Sequence, residues 1–534
     1  MLILRGLGLF VALALPFATI PGSSPSASAA EAHSRSAGPT VKAAQDARPE
    51  SAASSAELRL ELAAKIDDLL QAHHAIDQLS GAVLVADAGE VVYSGAVGMA
   101  NSDWDVPNTP ATKFRLASIT KQFTAMAVLL LVDEGKLDLD ASITTYLRDY
   151  PAASGDRVTL HHLLNHTSGI PSYTDRPGFM RNEAKERMSV AEFVREYCSD
   201  PLDFEPGTEF RYNNSGYFLL GAILEEVTGQ TYAEVLEERI FAPLGMRDSG
   251  VDDQYRVIPG RAVGYDDILG GRRVALWLDM TTPGAAGAMY STVGDLWKWD
   301  QALRAGTLLQ GELATRMVTP GLGDYGYGWE LEERPADTGG SLFGEASTEG
   351  TRTIEYHGGG MPGVSTLIWR VPAEERVIIV LGNTMQTSGS AIQYGITELL
   401  AGRAPGAVRP RGDFEVAGIV LKEGQDRALE ALATWPQHVQ DDYLLPDIAG
   451  LSRMLLDQGR DAEARQLTDF LLAGYPDAPI AWDASAYVHR MGGDLETAIA
   501  HYGRVVELDP EAGGIRDLIA ELQADLEEQS LGQE

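Results

Sequence analysis

Phe114-Arg-Leu-Ala-Ser118-Ile-Thr-Lys121-Gln-Phe-Thr-Ala-Met-Ala-Val-Leu-Leu-Leu-Val-Asp-Glu134-Gly135 is the stretch from which the rest of the chain is read. From Ser118 to Glu134 it is almost wholly apolar and free of Pro and Gly, and Gly135 stops it, so it predicts a buried helix. Ser118 opens that helix, and Lys121 follows one turn later on the same face. A serine hydroxyl is a weak nucleophile until a neighbouring base takes its proton, and a lysine serves as that base only where burial depresses its pKa. The helix N-terminus adds positive potential where an oxyanion would form. Taken alone, Ser-x-x-Lys is common by chance, and an N-cap serine with a solvated lysine accounts for it equally well.

The flanks supply the fold. Leu58, Leu60, Leu62, Ile66, Leu69 and Leu70 recur at helical spacing. Gly81 to Gly89 and Glu90 to Ser94 read as two strands joined by a tight Asp-Ala-Gly turn. The middle of the chain is mainly helical, with a second apolar helix from Tyr217 to Thr228 stopped by Gly229. Strands return at Thr353 to Tyr356, Ser365 to Arg370 and Arg376 to Leu381, and Ile392 to Leu400 closes the region as a helix. Strands at both ends with helices between predict an α+β domain. Its terminal segments pair in one antiparallel sheet flanked by helices, with a mainly helical subdomain between them.

Gly402 to Gly412 is a Pro/Gly-rich hinge, and beyond it the composition changes: 24 acidic against 8 basic residues from Glu415 to Glu534, with almost no strand signal. Gly459, Ala464 and Pro476 recur as Gly493, Ala498 and Pro510, a shift of 34, the period of the tetratricopeptide helix pair. Trp482, Tyr502 and Pro510 stand at the Trp, aromatic and closing Pro positions of that pattern, so an all-α repeat domain is expected over 415–534. Helices near Glu423 to Ala433 and Ile515 to Glu528 are expected to flank and cap it.

At the other end, Arg5 precedes an apolar run from Gly6 to Ile20, and small residues end in Ala27-Ser28-Ala29. That layout predicts a cleavable secretory signal over 1–29, followed by a disordered Ala/Ser/Pro tether over 30–55. The remaining domains are then a catalytic-type domain at 56–402, a linker at 403–414 and the repeats at 415–534. The expected location is outside the bacterial cytoplasm, periplasmic or secreted, with no membrane span once the signal is cut.

Across 534 residues, 42 Lys plus Arg stand against 77 Asp plus Glu, a net charge of −35, which opposes nucleic-acid binding. Hydrophobic residues at 44% with charged residues at 22% fit a folded globular protein. The one cysteine, Cys198, makes no internal disulfide and leaves no thiolate cluster for a metal. No cofactor and no metal are expected. His162 and His166 stand four apart on a predicted helix, but no Glu follows His162 and no third ligand is evident, so both read as structural. Arg352 and Arg370 read as exposed strand-end residues.

Two further strings carry chemistry. Phe210-Arg-Tyr212-Asn-Asn214-Ser-Gly-Tyr217 is a polar turn entering a helix, in which a Tyr near an ammonium shuttles a proton and an Asn holds the lysine or a substrate carbonyl. Tyr356-His357-Gly-Gly359-Gly360-Met-Pro-Gly363 is a strand end whose glycines let a ligand approach the backbone. Each string also has an ordinary structural explanation, as a helix cap and as a Gly-rich loop.

In this order, Ser118-x-x-Lys121, Tyr212-x-Asn214 and His357-x-Gly359 resemble the three motifs of the serine β-lactamase-like, penicillin-recognising hydrolases. That superfamily includes class C β-lactamases, D,D-carboxypeptidases, D-aminopeptidases and related esterases. Leu163-Leu-Asn-His166-Thr-Ser-Gly169, Phe204-Glu-Pro-Gly207, Pro243-Leu-Gly-Met246 and Tyr290-Ser-Thr-Val-Gly-Asp295-Leu look like its recurrent segments, and the resemblance covers about 58–402.

The resemblance implies that Ser118 forms an acyl-enzyme, with Lys121 and Tyr212 as base and proton relay. It further implies that Asn214 and His357 to Gly359 position the substrate, and that the backbone N–H groups of Ser118 and Gly360 form an oxyanion hole. Many β-lactamases of the superfamily carry Lys-Thr-Gly at the third motif. His357-Gly-Gly359 lacks that ammonium and hydroxyl, so esters or D-amino-acid peptides are expected as substrates ahead of β-lactams. The alternatives are a true β-lactamase, or an inert fold whose repeats bind a protein partner.

Overall fold

Gly81 to Asp87 is apolar at nearly every position rather than at alternate ones, and its place in the fold supplies the reason. The computed structural model describes residues 52–531 apart from 177–178, 181–182, 268, 270–271, 336–350, 434–443 and 511. The leader expected at 1–29 and the tether expected from residue 30 lie outside the described residues as far as 51.

The first helix, α1 (Ala52–His74), leads into β1 (Gly81–Asp87) and β2 (Glu90–Val97). Ala88 and Gly89 both have positive φ, 49° and 76°, the backbone of a two-residue hairpin turn that matches strand twist. Four later strands complete the sheet: β3 (Glu330–Pro335), β4 (Thr351–Met361), β5 (Val364–Val371) and β6 (Arg376–Gly382). Their order is β3-β4-β5-β6-β1-β2, antiparallel throughout, so the first and last strands of the domain pair, with Gly81 opposite Gly382.

Both faces of this sheet are covered. Ala82, Leu84 and Ala86 join a large core with Val377, Ile379 and Leu381, while Val83 and Val85 join a second core with Ile378 and Val380. Leu62, Ile66, Leu69 and Leu70 of α1 cap the second core together with Ile392, Ile396, Leu399 and Leu400. A fully buried aliphatic side chain contributes roughly 1.5–3 kcal/mol. A strand with two dry faces therefore selects an unbroken apolar run.

The helical subdomain lies on the first face. A short 3-10 turn, Ala117–Ile119, precedes α2 (Thr120–Asp133), and α3 (Asn214–Thr228) ends at Gly229, whose φ of 69° makes it the left-handed cap. Next comes α4 (Val293–Ala305). The last helix of the domain is α5 (Gly389–Leu400).

Three expectations are corrected. His162 and His166 do not share a helix: it ends at Leu164, and His166 has a φ of 62°. Arg352 and Arg370 are 6% and 3% exposed, because Glu374 pairs with the first and Asp300 and Glu355 pair with the second. Residue pairs inside the fold, which a strand pattern does not reveal, offset the cost of burying those guanidiniums.

Beyond the domain, helices Leu445–Asp457 and Pro479–Met491 begin 34 residues apart, as do Asp461–Gly474 and Leu495–Leu508. Gly459 and Gly493, both with positive φ, make the corresponding turns. Among the described residues no helix is long and apolar enough to cross a membrane.

Candidate active site

Ser118 sits in the 3-10 turn before α2, half-buried, following Ala117 at a φ of 49°. One turn on, Lys121 is 0% exposed. Its Nζ lies 3.2 Å from Ser118 Oγ, 2.8 Å from Asn214 Oδ1 and 2.9 Å from the Ala286 carbonyl oxygen. No carboxylate pairs with it among the described residues. Burial without a counter-ion disfavours the charged amine and pushes its pKa well below the usual lysine value. A neutral amine has two N–H donors and one lone pair, which suits two carbonyl-type acceptors and one hydroxyl.

Asn214 reaches Lys121 because the turn before α3 is tightly held. Asn213 caps the helix by accepting the Gly216 N–H at 2.6 Å, and its amide donates to the Ile170 carbonyl. Asn214 donates from its backbone to Ser172 Oγ and from its side chain to Thr174 Oγ1, both at 3.1 Å. Its Oδ1 is thereby left facing the amine.

Tyr212 lies across the same amine, with Lys121 Nζ 4.8 Å from the ring centroid. The residue is partly exposed, yet its hydroxyl is buried and closes no well-formed hydrogen bond among the described residues. Burial raises the phenol pKa, and interaction with Ser118 opposes that rise. The hydroxyl is thus held neutral.

The third string divides into distinct roles. Gly359 is sterically required: a Cβ there would come within 2.2 Å of the Leu116 carbonyl and 2.3 Å of Thr366 Oγ1, so β4 packs directly on the strand-to-helix turn. Around Gly360 a Cβ would meet nothing within 4 Å, which leaves that backbone open to an approaching group.

His357, expected among the substrate contacts, has a fully buried ring. Its Nδ1 lies 2.6 Å from the Gly358 carbonyl and its Nε2 2.9 Å from Tyr325 Oη. A carbonyl only accepts, so Nδ1 carries the proton and Nε2 accepts from the Tyr325 hydroxyl. Burial, which disfavours the charged ring, lowers the pKa of His357 to about 3. The ring supports the Tyr212 side of the site as a neutral block, 6.0 Å from the Tyr212 ring, and has no surface to offer a ligand.

Structure therefore gathers Ser118, Lys121, Tyr212 and Asn214 around one amine, places Gly360 open at the end of β4, and removes His357 and Gly359 to supporting positions. Sequence reading missed Tyr325, Thr174 and the Ala286 carbonyl. Tyr325-Gly-Tyr-Gly-Trp329 and Pro283-Gly-Ala-Ala-Gly287 mark their places, but neither string says which side chain or carbonyl it points inward. Cys198 is fully buried, and burial raises its thiol pKa to about 12, which leaves it unreactive. Among the described residues no group of three or more His, Cys, Asp or Glu is arranged to hold a metal ion.

A family model described as Beta-lactamase matches residues 66–402. The chain is 31% identical to penicillin-binding protein 4* of Bacillus subtilis (strain 168), over 57% of this chain and 68% of that protein. It is 38% identical to esterase EstB of Burkholderia gladioli, over 35% of this chain and 51% of that protein. Among solved structures, a penicillin binding protein from Bacillus halodurans aligns with a TM-score of 0.54 at 28% identity, covering 62% of this chain and 98% of that one.

Proposed function

The chain belongs to the beta-lactamase family, and on that premise we propose that it is a serine hydrolase working through an acyl-enzyme at Ser118, on esters or D-amino-acid peptides and amides. The observation that carries this reading is the fully buried Lys121, which has no carboxylate partner among the described residues and stands 3.2 Å from Ser118 Oγ.

In this reading the neutral amine of Lys121 takes the Ser118 proton as Oγ bonds to the acyl carbon. Asn214 and the Ala286 carbonyl hold the other two amine hydrogens. The carbonyl oxygen becomes an oxyanion facing the N–H groups of Ser118 and Gly360. Tyr212 passes a proton to the leaving alcohol or amine, and water then attacks the acyl-enzyme to release the acid and restore Ser118. Lys121 Nζ lies 4.8 Å from the Tyr212 ring centroid, so base and relay stand side by side at Ser118.

The neutral, buried His357 provides no cation for a substrate carboxylate, which favours uncharged esters and amides over β-lactams. Its likeness to a protein named esterase EstB supports the ester class. An exported location follows from the leader expected at 1–29, and a tetratricopeptide-type partner surface from the 34-residue recurrence; both belong to this proposal.

The test is the intact mass of the protein after fluorophosphonate treatment, with Ser118→Ala in parallel. A single adduct absent from the variant is the expected result. A folded wild type that takes no adduct would sink the reading and bring forward a non-enzymatic scaffold. Rapid nitrocefin turnover without ester hydrolysis would overturn the substrate class alone.

A further inference from the structure

His166 has no part in the scheme above, yet it occupies a costly position. It stands just past the helix Leu160–Leu164 with a φ of 62°, where chains ordinarily place glycine. Strain of this kind persists only where the surroundings demand it.

The surroundings here are the residues that flank Tyr212. The His166 carbonyl accepts the Arg211 N–H at 2.9 Å, and its Nδ1 accepts the Asn213 N–H at 3.1 Å. A backbone N–H only donates, so Nδ1 is bare and the neutral ring carries its proton on Nε2. The ring is 1% exposed, with its centroid 4.4 Å from that of Tyr212, 4.6 Å from Tyr325 and 5.1 Å from Tyr217. Burial disfavours the charged ring and keeps it uncharged.

We propose that His166 is the positioning residue for Tyr212. Its two acceptors clamp residues 211 and 213 so that the intervening phenol stays at Ser118 and the next asparagine stays at Lys121. This rests on the hydrolase reading above. The left-handed backbone is what turns both acceptors toward the same segment, which is why the strain is kept. Losing Nδ1 leaves a buried Asn213 N–H without its partner, and the turn relaxes.

Two variants separate the clamp from simple packing. His166→Asn keeps an acceptor near the place of Nδ1 and suits the left-handed backbone, whereas His166→Phe keeps a ring and loses the acceptor. With both folded by circular dichroism, His166→Phe is expected to lower kcat on a small ester about 100-fold with KM little changed, and His166→Asn to stay within about tenfold of wild type. Fluorophosphonate labelling of Ser118 should slow in parallel. A Phe variant within about threefold of wild type, or an Asn variant as impaired as Phe, would overturn the proposal.

Where His166→Phe does not fold, 15N NMR of the wild-type histidines decides, with His166→Asn identifying the signal. A neutral Nε2–H tautomer that persists well below the ordinary histidine pKa of 6.5 is expected, and an Nδ1–H tautomer or a ring protonated near that ordinary value overturns the assignment. Wild type that labels normally while these outcomes fail rejects the clamp alone. Wild type that does not label rejects the hydrolase reading instead.

Discussion

At the residue scale the site is a set of titratable groups held in their uncharged forms by burial: Lys121, His357 and His166 are pushed down, and Tyr212 up. Activity should therefore rise with pH as Lys121 loses its proton, and Lys121→Ala should lower kcat by about 10³ to 10⁴ with the fold retained. Kinetics alongside circular dichroism checks this, and an Ala variant near wild-type rate would remove Lys121 from the mechanism. His357 ties the site to stability. Its folded pKa of about 3 lies below the ordinary 6.5, so the unfolded chain binds the proton first. The contribution of the neutral ring is complete above about pH 6.5 and is lost as pH falls toward 3, at up to about 1.4 kcal/mol per unit. Denaturant titrations of wild type and His357→Gln from pH 7 to 4 should show a steeper acid loss in wild type. Equal slopes would mean that His357 is solvated.

At the element scale, β4 illustrates how adjacent glycines differ. Gly359→Ala puts a methyl against the Leu116 carbonyl and Thr366, neither of which can move freely, and should destabilise by roughly 2 kcal/mol or more. Gly360→Ala meets open space and should leave the melting temperature near wild type while slowing turnover, because the methyl enters the substrate's approach. Equal melting temperatures for the two variants would contradict this packing. The sequence string His357-Gly-Gly-Gly360 marks a close approach but not which glycine makes it, since that depends on β4 resting on a turn more than 230 positions earlier. Element identity was far more legible: the strand pair at 81–94, the helix stopped at Gly229 and the 34-residue recurrence all follow from local periodicity and turn chemistry.

At the scale of the whole molecule, the segment expected as a Pro/Gly-rich hinge also contacts the hydrolase domain. Gln78 donates to the Arg409 carbonyl at 2.8 Å, and Val408 packs against the core under α1. The C-terminal helices make their own contacts: Arg273 donates to the Gln458 carbonyl at 2.7 Å, and Leu269 packs on their core. Every described partner of the site residues lies within 66–402, however. A chain ending at Arg411 should therefore fold and react with fluorophosphonate within about threefold of the full-length rate, whereas one ending at Gly402 should melt lower. Calorimetry and labelling of both truncations check this, and failure of the longer one to fold would make the helices part of the hydrolase core. Residue order and spacing determined the α+β architecture, the repeat period and the strings around Ser118, Tyr212 and His357, because turns, caps and amphipathic periods act over a few residues. Tertiary structure alone decided that Lys121 has no counter-ion among the described residues, that His357 is sealed behind Tyr212, that Arg352 and Arg370 are buried against carboxylates, and that His166 bonds the turn that carries Tyr212. Burial and charge pairing are set by groups brought together from distant parts of the chain, and no local pattern encodes which of them will meet.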